Sequence, residues 1–385
     1  MRFIQFLLVF LFLQSLISVV PSSAFAAPPL RIVTLNVWHG LDGDSGILTL
    51  HPYETPAQRE LRYQGLVEGL RALRPDVIAL QEANPLPFFA QRLAKDLGYD
   101  EIHQVANGGL KLGNWGIPVN IKEGLVILAK REWGLQRVGA RRLSGPWYSI
   151  QRDWLVFQTE EVRYVLLGKI DFRGRQVYIA DLHLHAGRGS SAYLAALDTL
   201  VARGTISDED YERERSKVKG HILRRKRELA ASLAFLAKVG AQPLILLGDL
   251  NASEGSEELS LLSQSGFQDV FRALHPIASG CTWDPRWNPH AKRSSTLSSV
   301  EGELLKKLTA QFEATPRRID YIWLGPTFSS EAPLRCEVIF DLPYKGTFVS
   351  DHYGVVAEVR LALNPRLRFA RVVCSMEREH GPAKN

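Results

Sequence analysis

Short apolar runs recur along the chain, and polar residues stand where several of them begin or end. The runs cover residues 31–35, 76–80, 176–180, 243–247, 319–324 and 354–361. Each run is rich in Val, Ile or Leu, which is typical of strands buried in a layered sheet. The pattern therefore predicts six strands that carry polar side chains at their ends.

Two segments between these runs have the spacing of helices. Residues 58–73 place leucines roughly three to four positions apart, and Pro75 follows them as a stop. Residues 212–239 are strongly charged at first and then place leucines on one side. The acidic residues 208–210 precede this second helix, where the helix dipole favours them. Strands alternating with helices predict a layered α/β or α+β domain.

The first 26 residues have the layout of a secretory signal peptide. Arg2 supplies the positive charge, residues 6–20 are mostly apolar, and Ala24-Phe25-Ala26 offers a small-x-small cleavage site. The alternative is an uncleaved anchor helix, although the apolar stretch is short for a membrane span. We expect a mature protein that begins at Ala27 and is secreted or periplasmic.

Composition adds only weak constraints. The net charge of +6 over 385 residues is compatible with phosphate-bearing substrates, but it discriminates little. The three cysteines allow at most one disulfide bond. Residues 103–120 and 279–318 look like long loops, with a charged helical patch near residues 301–307, and residues 364–385 look like a basic, solvated tail.

Polar residues at the strand ends are the candidates for chemistry. Asn36 and Glu82 offer oxygen ligands of the kind that Mg²⁺ or Ca²⁺ takes, although each is also compatible with an ordinary turn or strand end. Gly248 allows close backbone approach, and Asp249 and Asn251 then project from one side. Such a pair can hold an attacking oxygen, or it can simply form a turn.

Histidines supply the second type of candidate. His352, beside Asp351, can act as a general base near neutral pH, and Asp320 can orient its ring. His183 and His185 alternate along a strand, so their rings point to opposite faces. We expect His183 to enter the site.

Five segments resemble the endonuclease/exonuclease/phosphatase superfamily in their order and local context. They are Thr34-Leu35-Asn36-Val37-Trp38, Leu80-Gln81-Glu82, Gly248-Asp249-Leu250-Asn251, Ile319-Asp320-Tyr321-Ile322 and Ser350-Asp351-His352. The resemblance implies a DNase-I-like four-layer α/β (α+β) sandwich, in which two packed β-sheets are flanked by helices. We expect this catalytic domain to span residues 27–363.

The resemblance also implies roles. The implied ligands of Mg²⁺, or of another divalent cation such as Mn²⁺ or Ca²⁺, are Glu82 with Asn36 and Asp351 nearby. His352, oriented by Asp320, would activate water for in-line attack on phosphorus. The residues implied to bind and stabilise the phosphoryl group are His183, Asp249 and Asn251.

One segment points to a branch within the superfamily. Residues 181–186, together with the Arg- and Glu-bearing helix that follows, look like the neutral sphingomyelinases. Asp181-Leu182 stands where that branch commonly has Asn-Thr, and segment 187–220 is long and highly charged, so the substrate is less certain than the chemistry. The resemblance implies a monomer that cleaves sphingomyelin to ceramide and phosphocholine.

Two other functions stay open from the sequence. An exported endonuclease of the same fold would use basic residues along a groove, with nucleic acid as its substrate. A non-catalytic binding module is the third possibility, but it has no need for buried charges. Trp115, Trp283 and Trp287 would contact a membrane surface in a phospholipid phosphodiesterase, or they pack within loops.

Overall fold

The computed structural model describes residues 28–42, 51–108, 111–112, 121–147, 149–158, 161–187, 191–240, 242–293 and 302–362. The expected signal peptide, Trp115, Cys374 and the basic tail lie outside these ranges. Among the described residues, no helix combines the length and the apolar character needed to cross a bilayer.

The strands are β1 Leu30–Asn36, β2 Leu41–Asp42, β3 His51–Pro52, β4 Val77–Ala83, β5 Tyr99–Gly108, β6 Lys111–Leu112, β7 Lys122–Lys130, β8 Gln136–Ser144, β9 Ile150–Gln151, β10 Leu155–Phe157, β11 Arg163–Phe172, β12 Arg175–His183, β13 Leu244–Asp249, β14 Gln268–Asp269, β15 Asp320–Leu324, β16 Pro333–Ile339 and β17 Gly354–Val359. The helices are α1 Pro56–Leu73, α2 Phe88–Leu97, α3 Ser191–Ala202, α4 Asp208–Leu236, α5 Glu257–Gln264, α6 Val270–Leu274, α7 Pro289–Arg293 and α8 Glu303–Glu313. Short 3₁₀ turns occur at Arg131–Trp133 and Ala237–Val239.

Two mixed six-stranded sheets form the centre of the molecule. The first sheet has the strand order β16-β17-β1-β4-β7-β5, and the second has the order β14-β15-β13-β12-β11-β8. The six predicted strands are adjacent in these orders, β17-β1-β4 in the first sheet and β15-β13-β12 in the second. The predicted strands are thus confirmed, and they carry the polar residues of the candidate site.

Apolar side chains from both sheets fill the space between them, including Ile32 and Ile127 of the first sheet and Ile179 and Ile245 of the second. The outer face of the first sheet is covered by α1 and α2, and that of the second by α4 and α5. Helices, sheet, sheet and helices make four layers, so the predicted DNase-I-like sandwich is confirmed.

Side-chain alternation in β1 shows how the strands aim polar groups at the site. Ile32 faces the second sheet, whereas Val33 and Leu35 pack beneath the helices. Because side chains alternate along a strand, Asn36 lies on the same side as Ile32 and faces the second sheet.

Capping side chains and a left-handed residue set the ends of two helices. A capping box between Thr55 and Gln58 starts α1, and Arg74 ends it in a left-handed conformation (φ 48°) before Pro75. Ser207 caps α4, so the acidic residues 208–210 lie in its first turn and the helix begins earlier than the predicted residue 212.

Two loop predictions need correction. Residues 103–108 belong to β5, which pairs along its length with β7, and residues 111–112 form β6, so these parts of the 103–120 segment are strands. In the 279–318 segment, α8 confirms the charged helical patch, but Trp283 is buried beneath the guanidinium of Arg317 rather than exposed. Trp283 therefore packs its loop.

A buried carboxyl group joins the two sheets beneath the candidate site. Asp181 Oδ1 accepts a hydrogen bond of 2.7 Å from Gln81 Nε2, while Asp181 Oδ2 and Gln81 Oε1 have no partner among the described residues. Burial raises the pKa of Asp181 well above its usual value. When Asp181 is neutral, its Oδ2–H can donate to Gln81 Oε1. The side-chain amide of an asparagine could donate in the same way at every pH.

Asp181→Asn is therefore expected to stabilise the protein at neutral pH by about 1–3 kcal/mol. A carboxyl group whose pKa is raised by folding stabilises below its unfolded pKa, and this stability is lost as the pH rises through the folded pKa. The gain from Asn should thus shrink as the pH falls from 8 to 4. Thermal unfolding across this range measures it, and an Asn variant less stable at every pH would refute this interpretation.

Candidate active site

Strand register places three site residues side by side on the second sheet. His183 of β12 lies opposite Asp249 of the parallel strand β13, and Asp249 lies opposite Asp320 of the antiparallel strand β15. Since all three stand at the ends of their strands, their side chains meet at one edge of the sheet. Residues far apart in sequence thereby form one polar cluster.

Local backbone geometry around Asp249 requires its neighbours. At Gly248 (φ 129°), a Cβ atom would stand 2.0 Å from the carbonyl oxygen of Leu182, so no other residue fits. Asn251 adopts a left-handed conformation (φ 48°), which Asn tolerates better than most residues. Its backbone N–H donates to Asp249 Oδ1 at 2.9 Å, and its amide nitrogen donates to the carbonyl of Leu184 at 3.0 Å.

Asn36 connects the two sheets. Its amide nitrogen donates to Glu82 Oε1 and to Asp249 Oδ2, both at 3.0 Å, and its amide oxygen accepts from the backbone of Trp38. Of the two roles considered from sequence, metal ligand or orienting group, this orientation favours the second. Asn36 holds one carboxylate from each sheet in a fixed position.

Glu82 occupies an irregular point of β4. Its backbone is left-handed (φ 56°), and the pairing between β4 and β7 shifts register between Leu80 and Ala83. Such a bulge re-aims a side chain, and a left-handed non-glycine residue costs roughly 1–3 kcal/mol that the surrounding structure must offset. The bulge turns the Glu82 carboxylate toward the cluster, where the backbone N–H of His39 lies 3.3 Å from Oε2.

His352 is fixed on both sides. Its Nδ1 lies 2.9 Å from Asp320 Oδ2, and its backbone N–H donates to the hydroxyl of Ser350, which donates in turn to the carbonyl of Asn36. With Nδ1 held by Asp320, the atom turned toward the cluster is Nε2, which lies 3.8 Å from Asp249 Oδ2. This arrangement is the geometry of a base and its orienting carboxylate.

His183 turns its Nε2 atom toward the carboxylates of Asp249 and Glu82. Its buried Nε2 makes no hydrogen bond among the described residues and lies 3.4 Å from Asp249 Oδ2 and 3.9 Å from Glu82 Oε1. Burial and the positive charge of Arg163 lower the pKa of His183 well below its usual value, so the ring is neutral at neutral pH. His185 lies elsewhere, between Glu161 (2.5 Å) and His221 (2.8 Å).

The charges of the cluster are unequal. Burial opposes ionisation of Glu82, but the imidazole of His39 and the hydrogen bond from Asn36 outweigh it and lower the pKa of Glu82 to about 2. Burial and the neighbouring Asp320 raise the pKa of Asp249 to about 7. Glu82 is thus a permanent anion, whereas Asp249 shares a proton with its surroundings near neutral pH.

His352 responds to its carboxylate neighbours. Burial alone would lower its pKa, but Asp320, Asp351 and Asp249 outweigh burial and raise the pKa of His352 well above its usual value. Asp351 is buried, and its Oδ1 lies 3.2 Å from the hydroxyl of Ser350. Taken with the contacts above, the structure brings all eight predicted site residues to one region: Asn36, Glu82, His183, Asp249, Asn251, Asp320, Asp351 and His352.

Three further residues line this region, and sequence reasoning missed them. His39 and Glu123 approach Glu82, and the buried Arg163 acts electrostatically on both glutamates. Two apolar runs were usable signals, because they predict strands in the same way as the other runs do: run 125–129 begins two residues after Glu123, and run 164–167 directly follows Arg163. His39 carries no comparable signal.

Comparison with known proteins agrees with this geometry. The chain belongs to the endonuclease/exonuclease/phosphatase family, whose model matches residues 33–352. Members of this family are divalent-metal-dependent hydrolases that act on phosphodiester bonds. No curated protein matches the chain significantly in sequence.

Solved structures of the same fold are similar in architecture and distant in sequence. A humanized D. rerio TDP2 has a TM-score of 0.53 at 18% identity, covering 86% of this chain and 98% of that one. Truncated Caenorhabditis elegans TDP2 has a TM-score of 0.53 at 14% identity, covering 88% and 100%. The human Nocturnin catalytic domain has a TM-score of 0.50 at 18% identity, covering 88% and 95%. At these identities the likeness shows the fold.

The donor set fits the divalent cation that the family uses. Two groups have ligand atoms that all lie within 4.8 Å of one another: His39, Glu82 and Glu123, and Asp249, Asp320 and His352. Hard cations such as Mg²⁺ prefer carboxylate oxygens, and Glu82 is ionised at any neutral pH. The permanent negative charge of Glu82 makes it the main candidate ligand.

Proposed function

We propose that this chain is an exported, divalent-metal-dependent phosphodiesterase whose substrate is a phospholipid, sphingomyelin in particular, which it cleaves to ceramide and phosphocholine. The reaction class rests on the family and on the site geometry. The observation that carries the lipid class is an apolar groove that opens beside Glu82. The choice of sphingomyelin rests on the resemblance of residues 181–186 to that branch.

The groove has a volume of about 300 Å³ and begins at His39 and Glu82. Much of its lining is apolar or aromatic: Val37, Tyr63, Leu66, Phe88, Phe89 and Val349. Phe88 stands at the rim with 71% of its surface exposed. Such a surface suits an acyl chain or a bilayer interface better than a polyanion.

Each arginine of the groove already contacts a carboxylate. Arg59 and Arg62 share Glu54 at 3.3 and 2.7 Å, and Arg92 contacts Glu60 at 2.6 Å. Nucleic-acid binding depends on positive charge that is available to phosphates. Pairing reduces that available charge, which favours the lipid over the nucleic acid.

A second aromatic residue stands near His352. Trp287 is 62% exposed, and its neighbour Asn288 donates at 2.8 Å to the carbonyl of Ser350. Trp favours the membrane–water interface, so Phe88 and Trp287 would allow transient contact with a lipid surface.

In the proposed reaction, His352 Nε2 accepts the proton of the attacking water while Asp320 holds the ring through Nδ1. His183 and Asn251 lie where they can stabilise charge on the phosphoryl oxygens, and Asn36 keeps Glu82 and Asp249 in place. A bound divalent cation would supply Lewis-acid stabilisation of that charge, with Glu82 as its main ligand.

Asp320→Asn is expected to lower the maximal rate roughly 10- to 100-fold, since the ring of His352 loses its charged partner and can take the wrong tautomer. The same change lowers the pKa of His352, because one of the negative charges that raise it is removed. A base is active when unprotonated, so the acidic limb of the kcat/KM profile should move to lower pH. An unchanged limb would show that His352 is not the titrating base.

Export is a proposal from residues 1–26. Cleavage after Ala26 would give a mature chain that starts at Ala27, and N-terminal sequencing of protein recovered outside the cytoplasm measures it directly. Recovery of the full-length chain from the cytoplasm alone would refute this proposal.

A nuclease is the second candidate, favoured by a structural relative, D. rerio TDP2, that is complexed with a single-strand DNA product. The purified protein with Mg²⁺ should be assayed on sphingomyelin vesicles, phosphatidylcholine vesicles and plasmid DNA, with His352→Asn as the blank. Phosphocholine release from sphingomyelin without DNA nicking is the expected result. DNA nicking without phosphocholine release would replace the lipid proposal with the nuclease.

A further inference from the structure

A second buried carboxylate approaches Glu82 from β7. The Oε2 atoms of Glu82 and Glu123 lie 3.6 and 3.9 Å from the same atom, Nε2 of His39. The pair is brought together by the bulge in β4 described above and by Gly124, where a Cβ atom would stand 2.0 Å from the carbonyl oxygen of Gln104. Strand geometry therefore directs both carboxylates to one point.

Glu123 is not satisfied by the protein alone. Its Oε1 accepts a hydrogen bond of 2.9 Å from Asn107 Nδ2, but its buried Oε2 makes no hydrogen bond among the described residues. The side chain is 9% exposed. Arg163 acts on it electrostatically, but the Arg163 guanidinium is paired with Glu161. Buried carboxylate oxygens without partners are costly unless a cation or donor completes them.

His39 turns a proton-bearing nitrogen toward this group and is therefore not a ligand. Its Nδ1 accepts a hydrogen bond of 3.0 Å from the backbone N–H of Leu41. The proton of the neutral ring is therefore on Nε2, the atom that faces the two glutamates. A nitrogen that carries a proton cannot coordinate a metal, but its N–H, 3.6 and 3.9 Å from the two carboxylate oxygens, can orient both electrostatically.

We propose that Glu123 is a second carboxylate ligand of the divalent cation, and that His39 is a positioning residue that keeps Glu82 and Glu123 turned to the same point. The inference rests on the proposed metal dependence and sharpens it. Oxygen ligands lie about 2.0–2.6 Å from Mg²⁺ or Ca²⁺, so two atoms on one ion are at most about 5 Å apart. The observed spacing, within 4.8 Å, meets this limit.

The test is direct Mn²⁺ binding to the purified chain without substrate, followed by electron paramagnetic resonance of free Mn²⁺. Glu123→Gln keeps the size of the side chain and its bond to Asn107, and we expect it to weaken Mn²⁺ binding at least about tenfold. His39→Asn should weaken binding roughly 10-fold through loss of positioning, within the range seen when the partners of metal ligands are changed.

A matched control is Glu101→Gln on the neighbouring strand β5. It removes the same charge from another Glu–His pair, since Glu101 Oε2 lies 3.0 Å from His103 Nδ1. Its Mn²⁺ affinity should equal that of the unchanged chain. Circular dichroism and thermal unfolding show whether each variant is folded, and Glu123→Asp, which keeps the charge, is the substitute if Glu123→Gln does not fold.

The outcomes separate this inference from the proposed function. If the unchanged chain binds Mn²⁺ and the folded Glu123 variant binds it equally well, Glu123 is no ligand, while the proposed activity stands. If the unchanged chain binds no Mn²⁺, Mg²⁺ or Ca²⁺ at millimolar concentrations, the inference and the metal dependence both fail.

Discussion

His352→Asn is expected to lower the rate of phosphodiester hydrolysis by about 10²–10⁴-fold, the usual contribution of a positioned general base. The variant loses the imidazole ring, whose Nε2 faces Asp249 and whose Nδ1 is held by Asp320 at 2.9 Å. Asn keeps a polar side chain of similar reach but cannot accept the proton at neutral pH. Steady-state kcat on a saturating substrate, with thermal unfolding as a check of the fold, measures the effect.

A matched control is His103→Asn. The imidazole of His103 also lies between two carboxylates, Glu101 at 3.0 Å and Asp153 at 3.2 Å, but on β5 and outside the cluster. Its rate should stay within about twofold of the unchanged chain. Equal losses in both variants would mean that the effect is structural, and a fully active His352→Asn would remove His352 from the mechanism.

Glu82→Gln should cost a similar amount, about 10²–10³-fold, because it removes the permanent anion of the site and the main candidate ligand of the cation. Gln is nearly isosteric with Glu but has one acceptor oxygen, so it can keep the contact to Asn36 or the contact to the backbone of His39, not both. The expected signature is a rate that responds only to much higher Mg²⁺ concentrations. A Mg²⁺ titration of activity distinguishes this signature from a simple loss of rate.

Loss of activity in Glu82→Gln with an unchanged Mg²⁺ requirement would contradict the assignment of Glu82 as a ligand. The left-handed backbone of Glu82 adds a stability check. Since Gln has the same backbone preferences, the melting temperature should not fall through strain. A large fall would point to the lost contacts of the carboxylate with His39 and Asn36 instead.

Much of the fold could be predicted because buried strands have a local signature. The run before Asp249 is apolar at every position, and the run of β1 ends at Asn36, so both the strands and their polar ends are visible in the sequence. The order of the motifs then identified the superfamily. These are properties that a linear pattern carries.

Other features depend on contacts that no linear pattern carries. The Gly-rich character of residues 103–120 predicts a loop, yet pairing with β7 makes residues 103–108 a strand. Sequence leaves open whether Trp283 contacts a membrane surface or packs its loop, and contact with Arg317 decides for the second. The approach of Glu123 to Glu82 follows from cross-strand register and a bulge, which are tertiary.

The orientation of Asn36 illustrates the same limit at a single side chain. Sequence allowed it to ligate metal or to orient a group. The choice depends on which amide atom meets the backbone of Trp38 and which meets the two carboxylates, and this is a matter of packing. Asp181, which stands where the neutral sphingomyelinases commonly have Asn, is a similar case. Only its burial against Gln81 shows that a neutral carboxyl group can replace an amide there.

The central claim is that this chain hydrolyses phosphodiesters at one site that depends on a divalent cation. The most direct test follows hydrolysis of bis(p-nitrophenyl) phosphate and of sphingomyelin vesicles by the purified protein in Mg²⁺, then in excess EDTA, then after Mg²⁺ is restored. We predict activity that EDTA abolishes and Mg²⁺ restores, and no activity in His352→Asn under any of the three conditions. Hydrolysis that persists in EDTA, or that survives in His352→Asn, would contradict the account.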